Sequence, residues 1–321
     1  MNATGRARLG SAPFLLRYPS RVISGELLQH FSRLVRDPDP DLAVTALVMA
    51  RVAYPKLEVE PYVAQLDALG REASRRVAAA TPGAIEVPPD VDPLAYARVT
   101  ALNEFLFTEE RFVGNDTHYD DPRNSFLNEV LDRRTGIPIT LALVYLEVAR
   151  RAGVTVEGVN FPGHFLVRCR GTRRPHYSRD LIIDAHHGGA LLSESMCREL
   201  LARHSGDAAV WDPHLLGHAT KVQIIARMLL NLKRAYVRLY SFSQARDVTE
   251  MLLTVDPSAL TELRDRGLLA YHLNDFPAAL RDLQQYLQLS GTTELDEEDR
   301  DEHERIWEHV KTLRRRVASF N

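Results

Sequence analysis

The sequence predicts an α+β core, preceded by a helical lobe and followed by an all-α repeat segment. Three observations carry this prediction. A helix apolar on nearly every face, Pro138 to Ala152, is followed by short β-type runs. Residues 24–80 and 94–107 show helical spacing. From Lys221 onward the chain is helical and repeats at an interval of 34 residues. With 321 residues, the chain is long enough for about two domains.

The lobe comes first. Leu27, Leu28, Phe31 and Leu34 recur at helical spacing, with Ser24 as N-cap. Asp37-Pro-Asp-Pro40 stops that helix. A second helix, Asp41 to Ala53, puts Leu42, Ala46, Met49 and Ala53 on one face. A third, Glu60 to Val77, does the same with Tyr62, Leu66 and Leu69. Prolines 82, 88, 89 and 93 make a loop of residues 81–93, and Leu94 to Phe107 is helical again.

The core follows a polar loop, Asn115 to Asn124. Ser125 is the expected cap of a short helix reaching Arg134, and Thr135-Gly136-Ile137 breaks the chain. Pro138 then opens the apolar helix and Gly153 stops it, the usual proline-first, glycine-last asymmetry. A helix apolar all round must be buried. Thr155 to Asn160, His164 to Cys169 and Leu181 to Asp184 read as neighbouring antiparallel strands.

In the repeat segment, Leu239 and Leu273, Phe242 and Phe276, Ala245 and Ala279, and Leu253 and Leu287 are each 34 residues apart. That is the tetratricopeptide interval. The small residue of each unit lets two helices approach closely, and Pro257 separates the units. Residues 294–317 read as a capping helix. Its acidic start and basic end complement the helix dipole, and Ile306, Val310, Leu313 and Val317 form its apolar stripe. The expected division is 20–215 for lobe and core and 218–320 for repeats and cap.

Composition narrows the function classes. Charged residues are 26% and hydrophobic residues 45%, values of an ordinary globular chain rather than a disordered or membrane-embedded one. A net charge of -3 argues against a broad nucleic-acid footprint. Only Cys169 and Cys197 are present, which fits a reducing, cytoplasmic setting rather than a disulfide scaffold. No apolar stretch reaches the roughly 20 residues needed to span a bilayer, and residues 1–13 read as a frayed start. There is no GxGxxG, no GxxxxGK[ST] and no HExxH, so no cofactor is expected. Arginines 168, 170, 173, 174 and 179 cluster around a hairpin, as a solvated surface or a dock for an acidic partner.

The order Gly136-Ile-Pro-Ile-Thr-Leu-Ala142, Gly153, His164 and Asp184 resembles the transglutaminase-like (papain-like) core. In that superfamily a Cys stands at the start of the buried helix, a His begins the next strand and an Asp ends the one after. The helix N-terminus lowers the thiol pKa, the His takes the proton and the Asp orients the imidazole. Gly136, Ala142 and Gly153 match the helix pattern. His164 and Asp184 match the pair, and Pro138 stands at the nucleophile's position. The segments NSFLNEVLDRRTGIPITLALVYLEVARRAG, VNFPGHFLVR and IIDAHHGGALLS are similar to the bacterial SirB-type invasion-regulator family. The similarity covers about residues 20–290. It implies a degenerate transglutaminase-like core with C-terminal tetratricopeptide repeats.

Neither Thr140, Ser125, Cys169 nor Cys197 falls where a substitute nucleophile is needed. Thr140 lies about 200° around the helix from Pro138. The pair His164–Asp184 is therefore expected as a vestigial site, a buried hydrogen bond holding two strands. Its alternative is acyl transfer or amide hydrolysis with His164 as base. A further option is that His164, Asp184, His186 and His187 converge as metal ligands, although no metal motif supports it. The leading expectation is a non-catalytic scaffold whose repeats bind a protein or peptide. The identity of the partner and the oligomeric state stay open.

Overall fold

The computed structural model describes residues 23–83, 87–171, 178–206, 209–290 and 297–318. The expected frayed start, Arg173, Arg174 and residues 294–296 of the acidic run lie outside these.

In α1 (Gly25–Val35) the Ser24 hydroxyl accepts the Leu27 N–H at 3.1 Å, so the expected cap is formed. Asp41 caps α2 (Leu42–Ala50), which is buried at every position except Val44. Next come α3 (Glu60–Ala79) and α4 (Pro93–Asn103), the latter capped by Asp92. The expected continuation to Phe107 is a π-helical turn, Glu104–Glu109. It follows Asn103, whose side chain is held by Tyr145 and by the Gly189 carbonyl.

Two short strands, β1 (Val113–Gly114) and β2 (Thr135–Gly136), pair in parallel. The expected break at 135–137 is thus partly a strand. Between them Ser125 does not cap a helix. It ends a 3-10 turn, Pro122–Ser125, which Asp121 caps, and α5 (Leu127–Arg133) starts after Phe126 without a side-chain cap. Asp121-Pro122 has already turned the chain, because proline pre-sets φ for that turn.

The apolar helix α6 (Pro138–Arg151) is buried along almost its whole length, as its composition requires. Its antiparallel sheet runs in order β3 (Glu157–Val159), β4 (Leu166–Cys169), β5 (Leu181–Asp184) and β6 (Ala190–Leu192). The fourth strand was not foreseen, since three residues show no alternation. Gly188 and Gly189, at φ 66° and 76°, provide the left-handed turn that folds it back. Side-chain alternation divides the sheet's two faces. Val167 and Ile183 enter the core with α6, while Val159, Leu166 and Ile182 pack on α7 (Glu194–Ser205) through Cys197, Leu200 and Leu201.

The repeats are α8 (Lys221–Arg238), α9 (Phe242–Val255), α10 (Leu260–His272), α11 (Phe276–Ser290) and α12 (Glu297–Ala318). Ala245 and Ala279 are fully buried between paired helices, and Gly267 lies so close to Leu283 that an added Cβ would stand 2.8 Å from it. The last helices have their own apolar cluster, with Leu283 on α11 and Ile306, Val310 and Leu313 on α12. The first pair does not. Ile224, Ile225, Met228, Leu229 and Leu232 of α8 and Val248 and Met251 of α9 join the same core as α6. The Ala219 N–H also donates to the Gly158 carbonyl at 2.8 Å, and Val159 bridges His218.

Asp247 on α9 ties the start of the lobe to the repeats by accepting the Ile23 N–H at 3.2 Å. Burial pushes its carboxyl up to about 6, against the lowering effect of that hydrogen bond. Between about pH 4 and 6 the folded chain therefore holds a proton that the unfolded chain has lost. Stability from this group is complete below that window and falls as pH rises through 6, by about 2 kcal/mol after allowing for partial solvation. Asp247→Asn is expected to recover that amount at pH 8 and to change little at pH 4.5. Urea unfolding of both proteins at the two pH values measures the difference.

Candidate functional site

His164 does not begin a strand. It sits two residues before β4, in a turn made by Pro162-Gly163 with Gly163 at φ 68°. Its N–H donates to the Phe161 carbonyl at 3.1 Å, which fixes the backbone there. Asp184 is the last residue of β5. The imidazole Nε2 donates to both Asp184 oxygens at 3.0 Å. Exposure of 5% for His164 and 2% for Asp184 makes this a buried pair.

The turn after β5 adds what the pair alone lacks. The His186 and His187 N–H groups donate to Asp184 Oδ1 at 3.0 and 3.3 Å. His187 Nδ1 donates to Oδ2 at 2.8 Å. Burial alone would raise the Asp184 carboxyl, but the bonds and charge from His164 and then His187 hold it down at about 2.

His186 departs from the expected four-residue convergence. The strand has ended at Asp184, so residues 184 and 186 no longer share a face. His186 Nε2 turns to Asp116 Oδ1 at 2.8 Å instead. Its ring packs on the Gly114 backbone, where an added Cβ would stand 2.5 Å from it, and Gly114 pairs with Gly136 at the approach to α6. It meets His164 edge-on at 6.0 Å between centroids, and burial lowers its pKa. His204, from α7, stacks on His164 at 5.8 Å. His187 stacks on His164 at the same distance. Four imidazoles therefore gather around one buried carboxylate. The adjacent His186-His187 after a strand-ending Asp was a visible signal in the sequence. Nothing marked His204, because only the packing of α7 brings it there.

At the start of α6, Pro138 is buried between Ile137 and Ile139. Thr140 Oγ1 accepts the Ile137 N–H at 3.1 Å and donates to the Asn124 carbonyl at 2.7 Å. Its hydroxyl is committed to this capping arrangement. Cys169 lies in the main core and Cys197 beneath the sheet, 8% and 0% exposed. Burial, with lesser help from nearby carboxylates, pushes both thiols up to about 11, far from a reactive thiolate. Within the described part of the basic cluster, Arg168 and Arg170 both bind Glu157, at 2.8 and 2.9 Å, and Arg179 faces Asp90 at 3.5 Å. These pairings compensate much of the cluster's charge.

A buried helix against an antiparallel sheet, a His before one strand and an Asp ending the next define a transglutaminase-like domain, here followed by tetratricopeptide repeats. Residues 60–230 match the transglutaminase-like superfamily and residues 232–307 the tetratricopeptide repeat. A UPF0162 protein of Xylella fastidiosa (strain Temecula1) is 36% identical over 269 residues, which is 81% of this chain and 87% of that one. A UPF0162 protein of Vibrio cholerae is 31% identical, over 60% of this chain and 69% of its own. Human F-box only protein 21 is 34% identical over 184 residues, 55% of this chain but 28% of that longer protein. The chain belongs to the family of UPF0162 proteins within the transglutaminase-like superfamily. No helix among the described residues is long and apolar enough to cross a membrane.

Proposed function

We propose that this is a non-catalytic regulatory or scaffold protein. Its repeats meet a protein or peptide partner, and its transglutaminase-like core lacks the nucleophile. Pro138 carries the reading. At the position where the superfamily places its Cys, it has neither a thiol nor an N–H for an oxyanion. Its burial, and the absence of any lowered thiol pKa nearby, support the same view. Binding is supported by the repeats, since stacked helical units expose continuous surfaces. A groove of about 630 Å³ lies between α1 and α9, lined by Leu28, Arg33, Arg36 and Leu253. A second, of about 500 Å³, continues from Leu253 to Leu260 and Gln285.

Within this reading we divide the chain at 20–215 and 218–320. We place it with the SirB-type invasion regulators, on the motifs around Pro138, His164 and Asp184, and in the cytoplasm, on its two free thiols. The vestigial pair then serves to hold the approach to β4 against the end of β5.

The second reading, acyl transfer or amide hydrolysis, is favoured by one observation. Asp184 stays ionised and aims His164, as a catalytic pair requires. A general base alone contributes about 10²–10⁴-fold. The purified full chain is expected to leave peptide and amide substrates unchanged, with or without added zinc. Turnover by the wild type that disappears in His164→Ala would establish the second reading instead.

A further inference from the structure

We propose that His164, Asp184 and His187 form a binding site for a zinc-type divalent transition-metal ion. One ligand atom from each lies within 4.8 Å of the other two. The two oxygens of the Asp184 carboxylate have different company, although His164 Nε2 reaches both at 3.0 Å. Oδ1 also accepts two backbone N–H groups, from His186 and His187, which anchor it. Oδ2 meets only ring nitrogens, His164 Nε2 at 3.0 Å and His187 Nδ1 at 2.8 Å. The protons on those nitrogens mark where a cation would sit.

The two nitrogen–oxygen distances suit that exchange, and the two ring nitrogens, within 4.8 Å of each other, close around the ion. With metal–ligand bonds of about 2.0–2.2 Å at a tetrahedral centre, neighbouring ligand atoms stand roughly 3.3–3.5 Å apart. The nitrogen–oxygen pairs need to open by only a few tenths of an ångström. Each ring gives up the proton on its ligating nitrogen, to its other nitrogen or to solvent. The anchored Oδ1 supplies the outer bonding that orients a metal-bound carboxylate.

Donor chemistry selects the ion. Two imidazoles and one carboxylate suit zinc and its neighbours, whereas magnesium and calcium favour oxygen ligands throughout. Access comes through His187, whose side chain is 54% exposed while those of His164 and Asp184 are 4% and 3%. Three protein ligands leave a fourth position for water or a partner's donor atom. His186 is not in this group: its Nε2 is bound to Asp116, and its Nδ1 lies against Gly114 rather than beside the other three ligands. The site concerns binding alone, so it stands apart from the question of turnover.

The test uses the untagged full chain, stripped with chelator and titrated with zinc chloride by calorimetry, then with cobalt(II) by visible absorption. One equivalent is expected to bind, raising the thermal midpoint, and cobalt is expected to give the bands of a low-coordinate nitrogen–oxygen site. His187→Ala, at a half-exposed position, is expected to weaken binding by at least about 100-fold, a loss as large as removing an outer-sphere partner or larger. His204→Gln removes a ring that stacks on the site without ligating, and is expected to stay within about threefold of wild type. Circular dichroism establishes that both variants are folded. Absence of stoichiometric zinc on the folded wild type, or equal affinity in His187→Ala, overturns the proposal.

Discussion

Truncation after residue 217 is expected to abolish cooperative folding of the remaining lobe and core. The cut removes Ile224, Ile225, Met228, Leu229 and Leu232, each no more than 2% exposed and part of the same apolar cluster as α6. Burying one such side chain contributes about 1.5–3 kcal/mol, so five contribute roughly 8–15. That equals the whole stability of a typical domain, about 5–15 kcal/mol. The cut also removes the Ala219 N–H bond to the Gly158 carbonyl at the edge of β3. Residues 20–217 should therefore be insoluble, or soluble without a sharp thermal transition, when purified beside the full chain. A fragment that melts cooperatively would show that the core tolerates losing this face. Shortening the chain after α9 is expected to be milder, because the distal cluster is separate from the main core.

Asp184→Ala is expected to cost about 3–5 kcal/mol, the loss typical of leaving a buried charged network without its acceptor. The carboxylate serves His164 through both oxygens, His187 through one, and two backbone N–H groups. The His164 ring and the His186 N–H are left with little access to water. Asp184→Asn keeps an oxygen for the backbone donors and is expected to lose less. His187→Ala should cost under about 1 kcal/mol, because the ring removed is half exposed and Asp184 keeps the His164 ring and its backbone donors. Urea unfolding of chelator-treated protein, with the slope of the transition compared across variants, measures all three. A loss below about 1 kcal/mol in Asp184→Ala would remove the structural role assigned to the pair.

The elements with strong periodicity were readable before any coordinates. The Ser24 cap, the almost wholly buried α6, the antiparallel order of β3 to β5 and the close alanines of the repeats all follow from spacing and side-chain volume. The misread features were short or competitively determined. Ser125 has a capping side chain, but the Asp121-Pro122 turn claims that stretch first. β6 is too brief to alternate, and it exists because two glycines accept positive φ. The strand pattern of Phe165 and Leu166 extends backward to His164, yet Pro162-Gly163 turns the chain at that point.

The candidate site divides along the same line. Local pattern and motif were enough to mark His164 and Asp184 as partners, Pro138 as a residue that can open a helix without offering a nucleophile, and a 34-residue repeat behind them. The helix, strand and repeat patterns are properties of neighbours in the chain, set by helix and strand periods and by proline chemistry, whereas the pairing of His164 with Asp184 is what the resemblance to the transglutaminase-like core implies. Tertiary structure alone decided that His187 joins Asp184 while His186 turns to Asp116, and that His204 arrives from α7 to stack on the pair. It also decided that the first repeat helices complete the core. Such contacts depend on how separate elements pack, and their direction is set by a turn's backbone angles and by the shape of the facing surface, neither of which has a local signature in sequence.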